Sequence, residues 1–296
     1  MRLIEDKCEG EKLVDKVKLT VLIEDSVDMD KPDLLAKHGL SFFVEAETGN
    51  VKVSILMDVG PSPDVMLHNI DEMGIDLRKT DAILLSHGHY DHVGSLIETL
   101  KRIEKQVPVI AHPKIFNPKF KVKPSLKFIG ASFKPSDVEA SGGVFLYASN
   151  PVTIAEGITT SGEVERHAAF EKVEDFWMVD DGRFVEDALL DDQALIIHVK
   201  NKGLVVLVGC AHSGIINTIR HAQKVMGTDK VFAVLGGFHL AKADDKRTQA
   251  TVNELAKLDL KFVGPCHCIG QKAVNRLLEA FGDRCHPLRT GDIVEL

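Results

Sequence analysis

Short apolar runs alternate with amphipathic stretches along most of the chain. Runs rich in Val, Ile and Leu, or alternating between apolar and polar residues, predict strands at residues 17–24, 41–46, 51–58, 83–85, 108–111, 144–147, 152–155, 158–160, 194–199, 204–208, 231–235, 261–264 and 293–294. Apolar residues at helical spacing predict helices at residues 63–73, 94–105, 215–226, 244–258 and 271–281. Strands that are followed by helices are typical of an α/β fold.

One segment, residues 112–136, departs from this pattern. Prolines and lysines alternate through it with interspersed phenylalanines, so regular structure is not expected there. Two interpretations are open: a solvated loop, or a cap that offers positive charge and aromatic contacts to an anionic substrate. We expect a single domain over residues 1–296, with this Lys/Pro-rich segment as an insertion.

The apolar strand at 83–85 runs directly into three histidines and an aspartate, which are His87, His89, Asp91 and His92. Imidazole nitrogen and carboxylate oxygen are ligands that zinc and similar divalent metals accept. Because side chains alternate along an extended chain, His87 and His89 project to the same side and can share one ion. Asp91 and His92 lie past the bend and can reach a second ion. The alternative is a polar loop whose histidines bind nothing.

Other apolar strands also end in side chains that bind metals or transfer protons. They are Cys210 and His212 after 204–208, His239 after 231–235, and His267 after 261–264. Cys210 has two possible roles, as a metal ligand or as a small buried apolar residue. His239 is either a functional residue, acting as a general acid or a substrate contact, or a structural histidine. Cys266 and Cys268 are interpreted as packing residues, with a zinc-binding pair as the alternative.

Composition limits the possible partners and the compartment. The chain has 296 residues, of which 44% are hydrophobic and 27% charged, as in soluble globular proteins. A formal net charge of -8 argues against binding nucleic acid or an anionic membrane over the whole surface. No apolar run is long enough to span a bilayer, and residues 1–16 do not resemble a secretory signal. The five cysteines lack a paired framework, which favours a reducing cytoplasm.

The spacing His87-x-His89-x-Asp91-His92 after an Ile/Leu strand resembles the signature of the metallo-β-lactamase superfamily. The resemblance covers most of the chain. It implies a four-layer αββα sandwich that holds two divalent metal ions, Zn first and Mn or Fe as alternatives, along one edge of the paired sheets. An Asp-x-Gly at a strand end also recurs in that superfamily, where it supports the loop that carries these ligands, residues 86–94, which we call the metal loop. Asp58 is therefore either such a support or a simple turn residue.

The resemblance also gives roles to the later strand ends. It places Cys210 against the second ion and implies that His267 completes the shell of that ion. The superfamily usually carries a third histidine in a Gly-His-Thr pattern, but this chain has Gly-Glu at that place, residues 162–163. We therefore predict that His212 fills the vacancy, with His167 as the alternative.

A narrower resemblance concerns one branch of the superfamily, which includes the archaeal 7,8-dihydropterin-6-methyl-4-(β-D-ribofuranosyl)aminobenzene-5'-phosphate synthase. It rests on residues 160–166, 209–215, 236–240 and 265–268. It implies condensation of a pterin diphosphate with an aminobenzene riboside phosphate, releasing pyrophosphate. Arg166 and the lysines of the 112–136 segment are then phosphate partners, and Glu163 is a contact for pterin or ribose hydroxyls.

The function that these features favour is a two-metal hydrolase or transferase acting on a phosphorylated small molecule. Asp91 is predicted to accept a proton as well as to bind metal, and His239 to act as a catalytic or substrate-binding residue. A general phosphodiester or ester hydrolase of the same fold is one alternative. A diiron oxidoreductase would prefer Glu in place of His89, and a non-catalytic metal-binding module fits poorly with an intact His/Asp/His set. No nucleic-acid or membrane partner is expected, and the oligomeric state stays open.

Overall fold

The computed structural model describes residues 13–172 and 175–296. The strands are β1 (Lys16–Ile23), β2 (Ser41–Thr48), β3 (Val51–Met57), β4 (Ala82–Leu84), β5 (Val107–Ala111), β6 (Lys119–Lys121), β7 (Lys127–Phe128), β8 (Gly143–Tyr147), β9 (Thr153–Ala155), β10 (Ile158–Thr160), β11 (Phe176–Asp180), β12 (Arg183–Glu186), β13 (Ala194–Val199), β14 (Gly203–Val208), β15 (Val231–Gly237), β16 (Phe262–Cys266) and β17 (Ile293–Glu295). The helices are α1 (Pro63–Glu72), α2 (Tyr90–Val93), α3 (Leu96–Ile103), α4 (Pro135–Ala140), α5 (Ile215–Met226), α6 (Asp245–Ala256) and α7 (Gln271–Phe281), with short 3-10 helices at Leu77–Lys79 and Gly282–Arg284.

Two large sheets face each other. One has seven strands in the order β17-β1-β2-β3-β4-β5-β8, and the other has six in the order β16-β15-β14-β13-β10-β9. Four neighbouring strands of the first sheet, β3, β4, β5 and β8, are parallel, as are β14, β15 and β16 of the second. The carboxyl ends of parallel strands lie at one edge of a sheet, which is where side chains from successive strands meet.

Both faces of these sheets are buried, and this explains their nearly continuous apolar runs. Along β13, Leu195 and Ile197 face the core between the sheets. Their neighbours Ala194 and Ile196 face the core beneath α5, α6 and α7. A third apolar cluster joins the outer face of the first sheet to α1 and α3, with Leu100 among its buried residues. The layers therefore run helix, sheet, sheet, helix, and the predicted αββα sandwich is confirmed.

A third, small sheet corrects the expectation for residues 112–136. The order of its strands is β12-β11-β6-β7, and β6 and β7 both lie inside the segment that was expected to lack regular structure. Lys119 and Lys121 of β6 pair with Met178 and Phe176 of β11. The expectation was wrong because prolines in this segment lie outside the two strands, and because a later strand supplies the hydrogen-bonding partners.

Candidate metal centre

The strand ends of both large sheets bring most of the predicted ligands to one place. Four non-glycine residues there have left-handed backbone conformations: Asp58 (φ 58), Ala211 (φ 49), His239 (φ 47) and His267 (φ 55). Each follows a parallel strand, β3, β14, β15 or β16. This conformation is unfavourable for residues with a Cβ, and such residues concentrate at functional sites.

The Asp58 carboxylate supports the metal loop from behind. Its Oδ1 accepts a hydrogen bond from Ser86 N (2.7 Å) and its Oδ2 accepts one from Ser86 Oγ (2.6 Å). Its Oδ2 also lies 2.7 Å from His92 Nδ1. Gly209 approaches this group so closely that a Cβ there would lie 2.1 Å from Ser86 Oγ. Asp58 therefore orients the loop, which agrees with the first of its two predicted roles.

These hydrogen bonds also fix which ring nitrogens carry protons. The hydroxyl hydrogen of Ser86 goes to Asp58, so the Nδ1 atom of His87, 2.9 Å from Ser86 Oγ, is the donor of that pair. Asp58 Oδ2, which accepts from Ser86 Oγ, also faces Nδ1 of His92, so that nitrogen is the donor of this pair. The Nε2 atoms of both rings then keep their lone pairs, as metal ligation requires.

A histidine cluster is formed by His87, His89 and His212. Ring nitrogens of the three lie within 4.8 Å of one another. His89 Nε2 and both ring nitrogens of His212 are buried and have no hydrogen-bond partner among the described residues. Burial, and then the neighbouring imidazoles, hold the pKa values of His87 and His212 well below the usual range, and burial lowers the pKa of His89 to about 3. Neutral rings with unsatisfied nitrogens fit a divalent metal.

A mixed cluster lies beside it and is formed by Asp91, His92 and His267, whose ligand atoms also lie within 4.8 Å of one another. His267 N donates to Glu24 Oε1 (2.6 Å), and His267 Nδ1 lies 2.7 Å from Asp25 Oδ1. Burial alone would lower the pKa of His267, but its hydrogen bonds to Asp25 and Asp91 outweigh burial and raise it. The opposite ring nitrogen, Nε2, faces Asp91 Oδ2 at 3.6 Å.

Thiols adjoin both clusters. Cys210 Sγ lies 3.2 Å from His92 Nε2, and the ligand atoms of Cys210, His239 and Cys268 lie within 4.8 Å of one another. His239 N donates to Cys268 Sγ (3.3 Å), whereas Cys266 is buried in the core between the sheets. The packing role expected for Cys266 agrees with this position, but Cys268 faces the site.

Three residues near the mixed cluster were not identified from the sequence: Glu24, Asp25 and His38. His38 Nε2 lies 3.3 Å from Asp91 Oδ2, and its Nδ1 lies 2.8 Å from Asp25 Oδ2. Glu24 and Asp25 directly follow β1, so they repeat the signal that identified the other strand ends. His38 lies in a polar loop, and no periodicity marks it.

The predicted substrate contacts Glu163 and Arg166 have different surroundings. The side chain of Glu163 is 41% exposed and bonds His112 Nε2 (2.8 Å). The Arg166 guanidinium donates to Ser213 Oγ (3.1 Å), next to the histidine cluster, and its Nε is buried without a partner among the described residues. His167, the alternative third histidine, is 67% exposed and pairs with Glu165. His212, and not His167, therefore lies with His87 and His89.

Comparison with known proteins identifies the family. Residues 36–167 match the model of the metallo-beta-lactamase superfamily. The chain is 36% identical over 288 residues to the 7,8-dihydropterin-6-methyl-4-(beta-D-ribofuranosyl)-aminobenzene-5'-phosphate synthase of Methanocaldococcus jannaschii, which covers 95% of this chain and 97% of the relative. The chain belongs to the metallo-β-lactamase superfamily.

Two further similarities extend over most of this metallo-β-lactamase superfamily member. An uncharacterized protein of Methanocaldococcus jannaschii is 31% identical over 242 residues, which is 82% of this chain and 88% of that protein. The crystal structure of Tm1679, described as a metal-dependent hydrolase of the beta-lactamase superfamily, superposes with a TM-score of 0.79 at 26% identity and covers 95% of this chain and 99% of that one. Among residues 13–172 and 175–296, no helix is long and apolar enough to cross a membrane.

Proposed function

We propose that the protein is a two-metal enzyme that acts on a phosphorylated small molecule. The observation that carries the proposal is the histidine cluster, with three buried ring nitrogens that have no partner in the described part of the chain. In this proposal His87, His89 and His212 hold one ion. Asp91, His92 and His267 hold the second, and Cys210 touches it. Zn, Mn and Fe all accept such a ligand set.

Bound ions would polarise a phosphate oxygen of the substrate and lower the pKa of a bound water. The residues of the chain then orient and move protons. Neighbouring His267 and His92 favour the ionised form of Asp91, and although burial opposes them its pKa stays below the usual range. Asp91 is thus an ionised carboxylate, and it is proposed both to bind metal and to accept a proton. His239, with a buried Nδ1 that has no partner among the described residues, is the proposed substrate contact or proton donor.

The proposed reaction follows the name of the Methanocaldococcus jannaschii relative. A bond forms between the amino nitrogen of an aminobenzene riboside phosphate and the methylene carbon of a dihydropterin diphosphate. The bond between that carbon and the diphosphate oxygen breaks, pyrophosphate leaves, and the amine proton passes to a base. Arg166 and Glu163 are proposed as further substrate contacts. Hydrolysis of a phosphodiester or ester is the second candidate, and the similarity to Tm1679 favours it.

An assay of pyrophosphate release tests this proposal. Protein supplied with Zn, Mn or Fe is incubated with both substrates, and in parallel with phosphodiester and ester substrates. Asp91→Asn is expected to lower the rate about 100-fold or more, because the amide cannot accept the proton. His167→Ala, a change at an exposed histidine, is the matched control and keeps the parent rate. Release of pyrophosphate that is unaffected by Asp91→Asn would contradict the proposed role of Asp91.

A further inference from the structure

One aromatic side chain, Phe176 at the start of β11, forms a wall beside the metal centre. The centroid of its ring lies 5.1 Å from that of His89, 5.1 Å from that of His212 and 5.9 Å from that of His239. It therefore adjoins two rings of the histidine cluster and the ring of His239, which groups with Cys210 and Cys268. A substrate bound at the proposed ions would lie beside this ring.

Lys121 lies next to Phe176, and Lys242 interacts with Lys121. Lys121 is the register partner of Phe176 across β6 and β11, and its Nζ lies 5.6 Å from the centroid of the phenyl ring. Directly opposed residues of antiparallel strands place their side chains on the same face of the sheet. Lys242 lies in the loop after β15, three residues after His239, and its side chain interacts with that of Lys121. The Phe176 ring thus adjoins both Lys121 and the histidine cluster.

These lysines differ from others of the same small sheet and its loops. Lys114 pairs with Asp180, and Lys119 pairs with two buried aspartates. In the part of the chain that the structure describes, no carboxylate forms an ion pair with Lys121 or Lys242. The acid near both of them, Asp175, hydrogen-bonds Lys123 at 2.8 Å. Among the described residues, the two ammonium groups therefore have no ion-pair partner of their own, and the nearby carboxylate is bonded to Lys123.

Keeping two cations together is unfavourable. Partial burial, and then the charge of Lys242, lower the pKa of Lys121. An anion bound between them would remove this repulsion and would gain charge-assisted hydrogen bonds. A diphosphate suits the arrangement, because each of its two phosphoryl groups can accept a hydrogen bond from one ammonium.

We propose that Lys121 and Lys242, with Phe176 as the adjoining apolar wall, form the subsite for the diphosphate group of the substrate. The inference rests on the proposed function in one respect, since it takes the substrate to be phosphorylated. It goes further by naming the side chains that select the anion. Among the lysines of the 112–136 segment it assigns this role to Lys121 and excludes the paired Lys114 and Lys119.

Calorimetric titration of zinc-loaded, full-length protein with inorganic pyrophosphate tests the subsite. The double variant Lys121→Ala/Lys242→Ala is expected to bind about 100-fold more weakly, because two charge-assisted hydrogen bonds are lost. Lys246→Ala is the matched control, since this lysine is exposed on α6 only four residues after Lys242. Lys121→Arg, which keeps the charge, is expected to retain most of the affinity. Raising the salt concentration should weaken binding in the parent more than in the double variant.

Metal content is measured on the same samples, so that a failure of the diphosphate subsite can be distinguished from a failure of the two-metal proposal. If the double variant binds pyrophosphate as tightly as the parent, or if Lys246→Ala weakens binding equally, the subsite is overturned while the metal centre stands. If pyrophosphate binding depends on both lysines but the parent holds fewer than two ions, the subsite stands and the two-metal proposal fails.

Discussion

At the scale of single residues, Asp58 orients the proposed metal ligands without being one of them. Its carboxylate accepts hydrogen bonds from the backbone N–H and the hydroxyl of Ser86, and it also lies within hydrogen-bonding distance of His92 Nδ1. Carboxylates in this position fix the orientation and tautomer of a ligating histidine, and their loss typically lowers metal affinity 10- to 100-fold. The left-handed backbone of Asp58 directs the carboxylate toward the loop.

Asp58→Asn is therefore expected to weaken metal binding about 10- to 100-fold with little change in secondary structure. The amide has a similar shape but offers only one acceptor oxygen where three hydrogen bonds converge. Competition titrations against a coloured chelator measure the affinity. Asp81→Asn, at an exposed aspartate that also accepts a backbone hydrogen bond, is the control. Equal affinities of parent and Asp58→Asn would show that the carboxylate does not orient a ligand.

The motif residues were predictable because the spacing itself carries the chemistry. His87, His89 and Asp91 lie close together in sequence, and alternation of side chains fixes which of them share a face. His212 was predicted because the usual third histidine is missing at residues 162–163, and the structure places it beside His87 and His89. His38 was not predictable, because a lone histidine in a polar loop carries no spacing signal and only the tertiary fold brings it to Asp91.

At the scale of elements, Lys119 joins the small sheet to the metal loop. Its Nζ donates to Asp187 Oδ2 (2.7 Å) and to Asp191 Oδ1 (2.9 Å), and Asp191 Oδ2 accepts a hydrogen bond from Gly88 N (2.8 Å). Burial alone would lower the pKa of Lys119, but the two carboxylates outweigh it and raise the pKa. The lysine is charged and fully buried, so its partners depend on it.

Replacing Lys119 by Met is expected to lower the free energy of unfolding by about 3–5 kcal/mol, because two buried carboxylates lose their counter-charge. Metal affinity should fall as well, since the hydrogen bond of Gly88 is loosened. Urea titration followed by circular dichroism measures the stability. Lys105→Met, at an exposed lysine after α3, should change it by less than about 0.5 kcal/mol. A similarly small change in Lys119→Met would mean that the ion group contributes little.

The strands of the two large sheets were predictable from the sequence, and those of the small sheet were not. Strands and helices of the sandwich bury apolar faces, so their sequences show apolar runs or a period of 2 or 3.6, even where a strand such as β10 has only three residues. The strands β6 and β7 have three residues and two, too few to show a period, and prolines surround them. The hairpin of β11 and β12 was missed even though Asp181-Gly182 lies between two apolar runs, which is a recognised hairpin signal.

At the scale of the whole molecule, the proposed metal centre connects the two halves of the sandwich. His87 and His89 follow a strand of the first sheet, whereas His212 and His267 follow strands of the second. A ligand that binds only the folded state raises the free energy of unfolding by an amount that depends on its concentration relative to its dissociation constant. Ions held at this position should therefore stabilise the packing of one sheet on the other.

Removal of metal is expected to lower the Tm by about 5 °C or more. Free metal at 100 times its dissociation constant contributes about 2.7 kcal/mol, and each kcal/mol shifts the Tm of a chain of this size by about 2–4 °C. Differential scanning calorimetry of protein treated with a chelator, before and after Zn is added back, measures the shift. An unchanged Tm would show that the clusters do not bind metal in the folded state.

His212 is proposed to complete a three-histidine metal site, and the metal content of the purified protein distinguishes whether it does. Elemental analysis of protein purified without added metal should give about two ions per chain for the parent, in line with other two-metal sites. His212→Ala should lose about one of them, and His167→Ala, at an exposed histidine, should keep both. If His212→Ala retains two ions, His212 is not a ligand and the account of the site is wrong.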